Sequence, residues 1–303
     1  MAGYTVKDSN GNAVIVGDTI VENPTLYVNA STGDDTNTGS ASDAALATIQ
    51  AAVDKLGTTI RGTATIEIAA GTYREEVNIN NISGGKLVIN GASASTTIIS
   101  GADSGAPTTV VRDYCIYFFQ CCIGQVEVKN MRLEYSDIAG YRADYGAGVT
   151  TVENVEIQNI DGHGWLQLYS GQHNAVNVDI SNVLSHGFYL YSSSINFKTT
   201  ASTVSQTSTG GSTSGMPIRA FYNSYVGILV AGCSFSGNTS IGTYGLFLDN
   251  SIVFHSTGFT IAEASYGIRA RWNSQVVGTG TITETNVDTS SSLTSGATIV
   301  NGD

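Results

Sequence analysis

Charged residues are scarce in this 303-residue chain: Asp, Glu, Lys and Arg make up 13% of it, against a usual share of about 25%. Basic residues are the rarer sign. Lys and Arg total 13 against 25 Asp and Glu, for a net charge of −12, and no local basic cluster compensates. Nucleic-acid binding, which runs on counterion release, is therefore not expected, and anionic membranes are disfavoured in the same way. No apolar run is long enough to span a bilayer, so membrane insertion is not expected either. The first 21 residues lack a basic stretch followed by an apolar one, so no export signal is read there. Cysteine is also sparse. Cys115, Cys121, Cys122 and Cys233 are too few and too bunched for a disulfide framework, and their apolar surroundings read as four buried thiols. Amphipathic patterns long enough for extended helices are missing as well.

What remains is 35 Gly, an abundance of Ser, Thr and Asn, and 41% apolar residues. That mixture suits many short strands joined by turns. A repeat organises it. Segments beginning at Gly140, Gly164, Gly187, Gly215, Gly245 and Gly267 follow one another at intervals of 24, 23, 28, 30 and 22 residues. Each Gly is followed by an apolar or aromatic residue: Tyr141, Trp165, Phe188, Met216, Leu246 and Ile268. Two positions on come Ala143, Gln167, Leu190, Ile218, Leu248 and Ala270. Period-2 alternation places both columns inside. It leaves Arg219, Asp249 and Arg271 outside as a stacked column, either a salt-bridge ladder or a ligand site.

A second strand column begins at Asn130, Asn154 and Asn177, whose amides can bond along the axis and tolerate a left-handed corner. The predicted fold is an all-β, right-handed parallel β-helix of roughly nine to ten rungs. One N-terminal helix caps it, over Asp43 to Leu56, with Leu46, Ile49, Val53 and Leu56 on its apolar stripe, Ser42 or Asp43 as N-cap and Gly57 as stop. The expected divisions are an attachment segment at 1–24, a strand, loop and capping helix at 25–62, the β-helix at 63–287 and a polar tail at 288–303. Tyr4 to Val6 and Ala13 to Ile15 read as a strand pair in the first segment, and Thr199 to Gly215 as a long Ser/Thr/Gly loop.

Three segments together resemble the N-terminal signature of the pectin-lyase-like β-helix superfamily: LYVNASTGDDTNTGS (Leu26 to Ser40), ATIQAAVDKL (Ala47 to Leu56) and IEIAAGTYREEVNI (Ile66 to Ile79). The resemblance covers about residues 25 to 100. It implies parallel β-helix architecture, shared by pectate lyases, polygalacturonases, carbohydrate epimerases and phage tailspikes. In style the chain is most similar to the phage members, which implies a homotrimer on the virion surface. Other virion proteins and a host surface glycan would then be its partners.

Fold alone does not select an activity. The Asp-Asp pair that marks polygalacturonases occurs here only as Asp34 and Asp35, in the cap loop. A lyase needs clustered carboxylates for Ca²⁺ with a basic residue nearby, and Arg142, Arg219, Arg269 and Arg271 have no such cluster beside them. A glycoside hydrolase needs two carboxyl groups flanking the scissile bond. Glu156, Asp161 and Asp179 are the candidates, with Glu156 and Asp179 one rung apart on an outward face. His163 and His186 each precede a repeat Gly and should stack at a corner, as should Tyr244 and Tyr266; a metal site is not expected from two His alone, nor is a cofactor. Tyr169, Tyr189, Tyr191, Tyr222, Tyr225 and Trp272 fall on outward or loop positions and suit glycan binding or subunit packing. The expected role is a virion adhesion or decoration protein, with a polysaccharide lyase or hydrolase and a bare carbohydrate-binding module as alternatives.

Overall fold

The computed structural model describes residues 6–7, 13–14, 21–103, 112–146, 148–205, 215–237, 244–279, 281–289, 292–293 and 298–301. The chain folds as an all-β right-handed parallel β-helix. Its strands stack into three faces. Face A runs from Val77–Asn80 through Tyr114–Phe119, Ala139–Asp144, His163–Leu168, Phe188–Tyr191, Ile218–Phe221 and Tyr244–Asp249 to the end of Phe259–Arg271 and Ser292–Leu293. Face B runs from Thr25–Val28 to Thr298–Asn301, and face C from Gly71–Tyr73 to Ile282–Thr289. Among the described residues faces A and C hold nine strands each, which span about eight turns, slightly fewer than the nine to ten rungs expected.

Long strands serve two faces by bending at a left-handed residue. Cys122–Glu134, Val149–Ile160 and Gln172–Val183 turn at Asn130, Asn154 and Asn177, with φ of 59°, 53° and 52°. Asn tolerates this conformation better than other side chains, because its short amide bonds locally. Here the amides bond to one another. Asn177 donates to Asn154 at 2.9 Å, Asn154 to Asn130 at 3.1 Å and Asn130 to Asn90 at 2.9 Å. Asn90 in turn donates to Glu67 at 2.7 Å, so every amide in the ladder points the same way and the run ends on a carboxylate.

The repeat glycines have a packing reason. A Cβ on Gly140, Gly164, Gly187 or Gly245 would lie 2.5, 2.5, 2.5 or 2.2 Å from a methyl of Ile157, Ile180, Val204 or Ile261 on face C. Glycine lets the two faces close on each other. Inside, Tyr141, Trp165 and Phe188 stack with ring centroids 4.6 and 5.5 Å apart, and Phe197, Phe235 and Phe259 continue at 5.3 and 6.0 Å.

Several expectations are corrected. The cap contains a 3₁₀ turn, Ser42–Ala44, and a shorter helix, Ile49–Asp54, whose N-cap is Thr48, with its hydroxyl accepting from Ala51 N–H. The helix begins late because Asp35 binds the N–H groups of Ala47 and Thr48 at 2.8 and 2.9 Å, holding that segment extended, and Glu75 takes those of Ile49 and Gln50. Gly57 is left-handed, with φ of 67°, but it lies two residues beyond Lys55, the C-cap at which the helix ends. Gly215 does not begin its strand: Phe188 lies opposite Ile218 and Leu190 opposite Ala220, so Ile218 and Ala220 face inward while Met216 packs outside against Phe221 and Phe247. Pro217 holds the place of the repeat Gly, its carbonyl accepting from Phe188 N–H. Arg219 is consequently opposite Phe247, not Asp249. Cys122 is exposed whereas Cys115, Cys121 and Cys233 are buried, since consecutive extended residues point to opposite sides.

In the first segment Val6–Lys7 pairs antiparallel with Ala13–Val14. The rest of that segment before Val21 and residues 206–214 of the long loop lie outside the described residues. Within the polar tail, Ser292–Leu293 and Thr298–Asn301 add parallel strands to faces A and B.

Replacing Asn154 by Ala removes two ladder bonds and also the short amide that lets a residue bearing a Cβ tolerate a left-handed backbone, each loss costing about 1–2 kcal/mol. The expected loss is about 2–4 kcal/mol in urea unfolding, and Asn154→Gly, which relieves only the backbone term, should lose less.

Candidate functional site

The corner between faces A and B is built from a column of left-handed residues one turn apart. They are Gln120, Tyr145, Tyr169, Ser192, Tyr222, Asn250 and Trp272, with φ between 49° and 53°. A bulky side chain in this conformation is an outlier, and the corner between faces B and C uses Asn instead. Left-handed geometry projects these rings outward. Tyr145, Tyr169, Tyr222 and Trp272 are 53%, 48%, 55% and 58% exposed, which makes them the most exposed large apolar side chains among the described residues.

The rings form a strip. Tyr145 and Tyr169 stack nearly parallel at 5.3 Å, Tyr169 meets Tyr191 at 5.0 Å, and Tyr191 meets Tyr222 at 4.6 Å. Behind them a buried serine ladder holds the corner: Ser170 N–H donates to Ser193 Oγ at 3.0 Å, Ser193 N–H to Ser224 at 3.3 Å and Ser251 N–H to Ser274 at 3.2 Å. The strip then opens. Asn250 separates Tyr222 from Trp272, so these two stand two strand spacings apart, about 9.6 Å. Between them lies a cleft of about 600 Å³ lined by Tyr222, Asp249, Asn250, Arg271, Trp272 and Asn273. Arg271 and Asp249 pair at 2.6 Å in its floor. A smaller hollow of about 220 Å³ adjoins it, sharing Asn250 and Asn273 and adding Tyr225 and Ile252. Two aromatic walls, a charged floor and amides from Asn250 and Asn273 can hold a hydroxyl-rich ligand by stacking and hydrogen bonds.

Face A carries a second layer beside this edge. Arg142 lies over the Tyr114 and Tyr117 rings at 5.0 and 5.1 Å and pairs with Asp144 at 2.5 Å. Arg219 lies 4.5 Å from the Phe221 ring, and Arg269 donates to Tyr244 Oη.

The structure therefore gathers Tyr169, Tyr191, Tyr222 and Trp272 on one edge. Tyr225 sits around the corner on face B, in the smaller hollow. Tyr189 is half-buried on face A, against His163, His186 and Phe221 at 4.9, 5.5 and 5.7 Å. The carboxylates lie elsewhere. Glu156 and Asp179 are opposite each other on face C, away from the aromatic edge, but each has its own partner: Arg132 binds Glu156 at 2.8 Å, and Thr203 donates to Asp179 at 2.5 Å. Asp161 lies beyond the end of their strands, where burial and then Asp137 push its carboxyl up. Sequence reasoning missed Tyr145, although it lies one rung interval before Tyr169, and missed Asn250 and Asn273 as cleft residues.

His163 and His186 do stack, at 5.1 Å, as do Tyr244 and Tyr266 at 4.8 Å. His186 Nδ1 accepts from Met216 N–H at 3.1 Å and its Nε2 faces Arg219 at 3.0 Å. Among the described residues no group of three or more His, Cys, Asp or Glu is placed to hold a metal ion.

No family model matches the chain, and no curated protein matches it. Nine chains among the solved structures do. XylC in complex with xylose superposes with a TM-score of 0.50 at 10% identity, over 86% of this chain and 69% of that one. A pectin methylesterase mutant in complex with a hexasaccharide gives 0.42 at 11% identity, over 84% and 80%. Pectin methylesterase from carrot gives 0.39 at 11% identity, over 96% and 91%. XylC shares the fold.

Burial depresses three histidines in this part of the solenoid: half-buried His163, and the buried His173 and His186. His163 falls from 6.5 to about 4, with Arg219 and Arg142 adding to the effect, and His173, bonded to Ser170 at 2.8 Å, falls to about 3. The unfolded chain takes up these protons below pH 6.5 while the folded one does not, so stability is full above that pH and falls as pH decreases towards 4 and 3. Each histidine contributes a slope of up to about 1.4 kcal/mol per pH unit. The urea midpoint should hold steady from pH 8 to 7 and decline between 6.5 and 5, with a shallower decline in His173→Asn.

Proposed function

We propose that the protein binds an extended polysaccharide along the edge between faces A and B, with the cleft between Tyr222 and Trp272 as its principal subsite. One observation carries this reading. The fold needs a left-handed residue at each corner, and Asn meets that need between faces B and C; between faces A and B, Tyr and Trp take the position at a backbone cost of about 1–2 kcal/mol each and hold their rings in solvent. Strain of that kind clusters where a ligand is bound. XylC, which shares the fold, was solved with xylose, and a sugar is the ligand class this cleft suits on its own chemistry.

The finer form of the proposal is an adhesion or decoration protein on a virion surface, a homotrimer held by other virion proteins and directed at a host surface glycan. Its support is the likeness of Leu26 to Ile79 to the N-terminal signature together with a polar, Ser/Thr-rich surface. Light scattering of the native protein tests the assembly: a trimer supports the virion form, whereas a monomer removes it and leaves the glycan reading standing.

Screening against bacterial surface polysaccharides and plant glycans should yield a ligand whose affinity falls about tenfold in Trp272→Ala and again in Tyr222→Ala, with the melting temperature unchanged because both rings are exposed. Equal affinity in both variants rejects the cleft. New reducing ends or unsaturated products that disappear in Asp179→Asn would replace pure binding by hydrolase or lyase activity carried by Glu156, Asp161 and Asp179.

A further inference from the structure

Phe247 on the outward side of face A is surrounded by three guanidinium groups. Arg271 lies 4.8 Å from its ring centroid, Arg219 5.6 Å and Arg269 5.9 Å. The register explains the collar: Arg219, Phe247 and Arg269 occupy one outward column over three successive turns, and Arg271 follows two residues after Arg269. Among the described residues one carboxylate answers these three charges. Asp249 pairs with Arg271 at 2.6 Å, while Arg219 contacts His186 and Arg269 contacts the Tyr244 hydroxyl, both uncharged partners at neutral pH. His186 is neutral there because burial, then His163 and Arg219, hold its pKa well below 6.5. Among the described residues two of the three positive charges thus have no carboxylate partner, on a chain whose net charge is −12.

Their environment sharpens the point. The Nε atoms of Arg219, Arg269 and Arg271 are all buried without a hydrogen-bond partner. Aromatic faces attract the cations but supply no oxygen acceptor. Arg guanidinium is the side chain best matched to carboxylate, sulfate and phosphate oxygens, through paired N–H donors. Arg219 and Arg269 stand two strand spacings apart, about 9.6 Å, and Arg271 belongs also to the floor of the Tyr222–Trp272 cleft. The collar and the cleft are continuous.

We infer that the Arg219–Arg269–Arg271 collar is an anion subsite, and that the polysaccharide held at the aromatic edge carries anionic groups, carboxylate or sulfate ester, that dock over Phe247. The glycan part of this inference rests on the reading of the cleft; the anion site stands on its own geometry.

The test uses three monosaccharide probes on the intact protein: glucose, glucuronate and glucose 6-sulfate. The arginine Nε–H and tryptophan indole N–H signals are followed by ¹H–¹⁵N NMR at fixed ionic strength. Glucuronate or glucose 6-sulfate should shift the Arg219 and Arg269 signals saturably where glucose does not, and the stronger of the two identifies the anionic group. The double variant Arg219→Gln, Arg269→Gln should bind the charged sugars at least tenfold more weakly. Indistinguishable responses to charged and neutral sugars overturn the inference, as does wild-type affinity in the double variant. Should that variant fail to fold, the comparison of glucose with glucuronate on the wild-type protein decides alone. Arginine shifts without any change at Trp272 would keep the anion site and reject the cleft, whereas a Trp272 response to neutral sugars without arginine selectivity would do the reverse.

Discussion

Parallel strands in register, one turn directly above the last, are the constraint from which the rest of the molecule follows. Their hydrogen bonds fix a spacing of about 4.8 Å between turns, so whatever residue a position holds is brought against its counterpart one turn away. Like residues become ladders. The Asn amides of positions 90, 130, 154 and 177 form one such chain, the buried serines behind the aromatic corner a second, and the interior rings of Tyr141, Trp165 and Phe188 a third. A lone turn would leave each of these groups unsatisfied, which is why such a fold gains stability by stacking.

The same constraint lets the surface specialise without disturbing the core. Alternation along each strand assigns one residue inward and the next outward, so face A carries arginines and aromatics outside while Tyr141, Trp165 and Phe188 fill it inside. At the corners the backbone asks only for a left-handed residue. Asn satisfies that with its own amide ladder on one edge; on another, Tyr145, Tyr169, Tyr222 and Trp272 accept the strain and present their rings to solvent. The cleft arises where the column is interrupted, because Asn250 is smaller than the rings on either side of it. Face C, with Glu156 bound to Arg132 and Asp179 to Thr203, shows the opposite use of outward positions, as cross-strand pairs that satisfy one another.

Much of this was legible in the sequence because spacing alone encodes the stack. Asn130, Asn154 and Asn177 announced a left-handed corner, and the glycines of positions 140, 164, 187 and 245 marked successive rungs, although their packing reason emerged only in the structure. Legibility failed where the interval changed. The 28-residue interval ending at Gly215 includes a long connection, so the strand begins two residues later than the glycine implies, and every outward assignment there moves with it: Arg219 joins Phe247 and Arg269 instead of Asp249. The arginine collar was hidden by that slip. The capping helix was overestimated because its apolar stripe continues into an extended segment that Asp35 ties down from a distance in sequence. Cys122 was misjudged with its neighbour because two adjacent cysteines look alike in composition while an extended chain sends them to opposite sides.

The central claim is that the exposed aromatic corner is a polysaccharide-binding edge, and the chain contains its own reporter. Of its two tryptophans, Trp165 is wholly buried and Trp272 is 58% exposed at the cleft, so acrylamide quenching of intrinsic fluorescence reads mainly Trp272. Quenching should be measured across oligosaccharides of increasing length from the best-binding polysaccharide. The account predicts that protection of Trp272 appears and tightens with length, as more of the Tyr145–Tyr222 strip is covered; unchanged quenching at saturating ligand would contradict it.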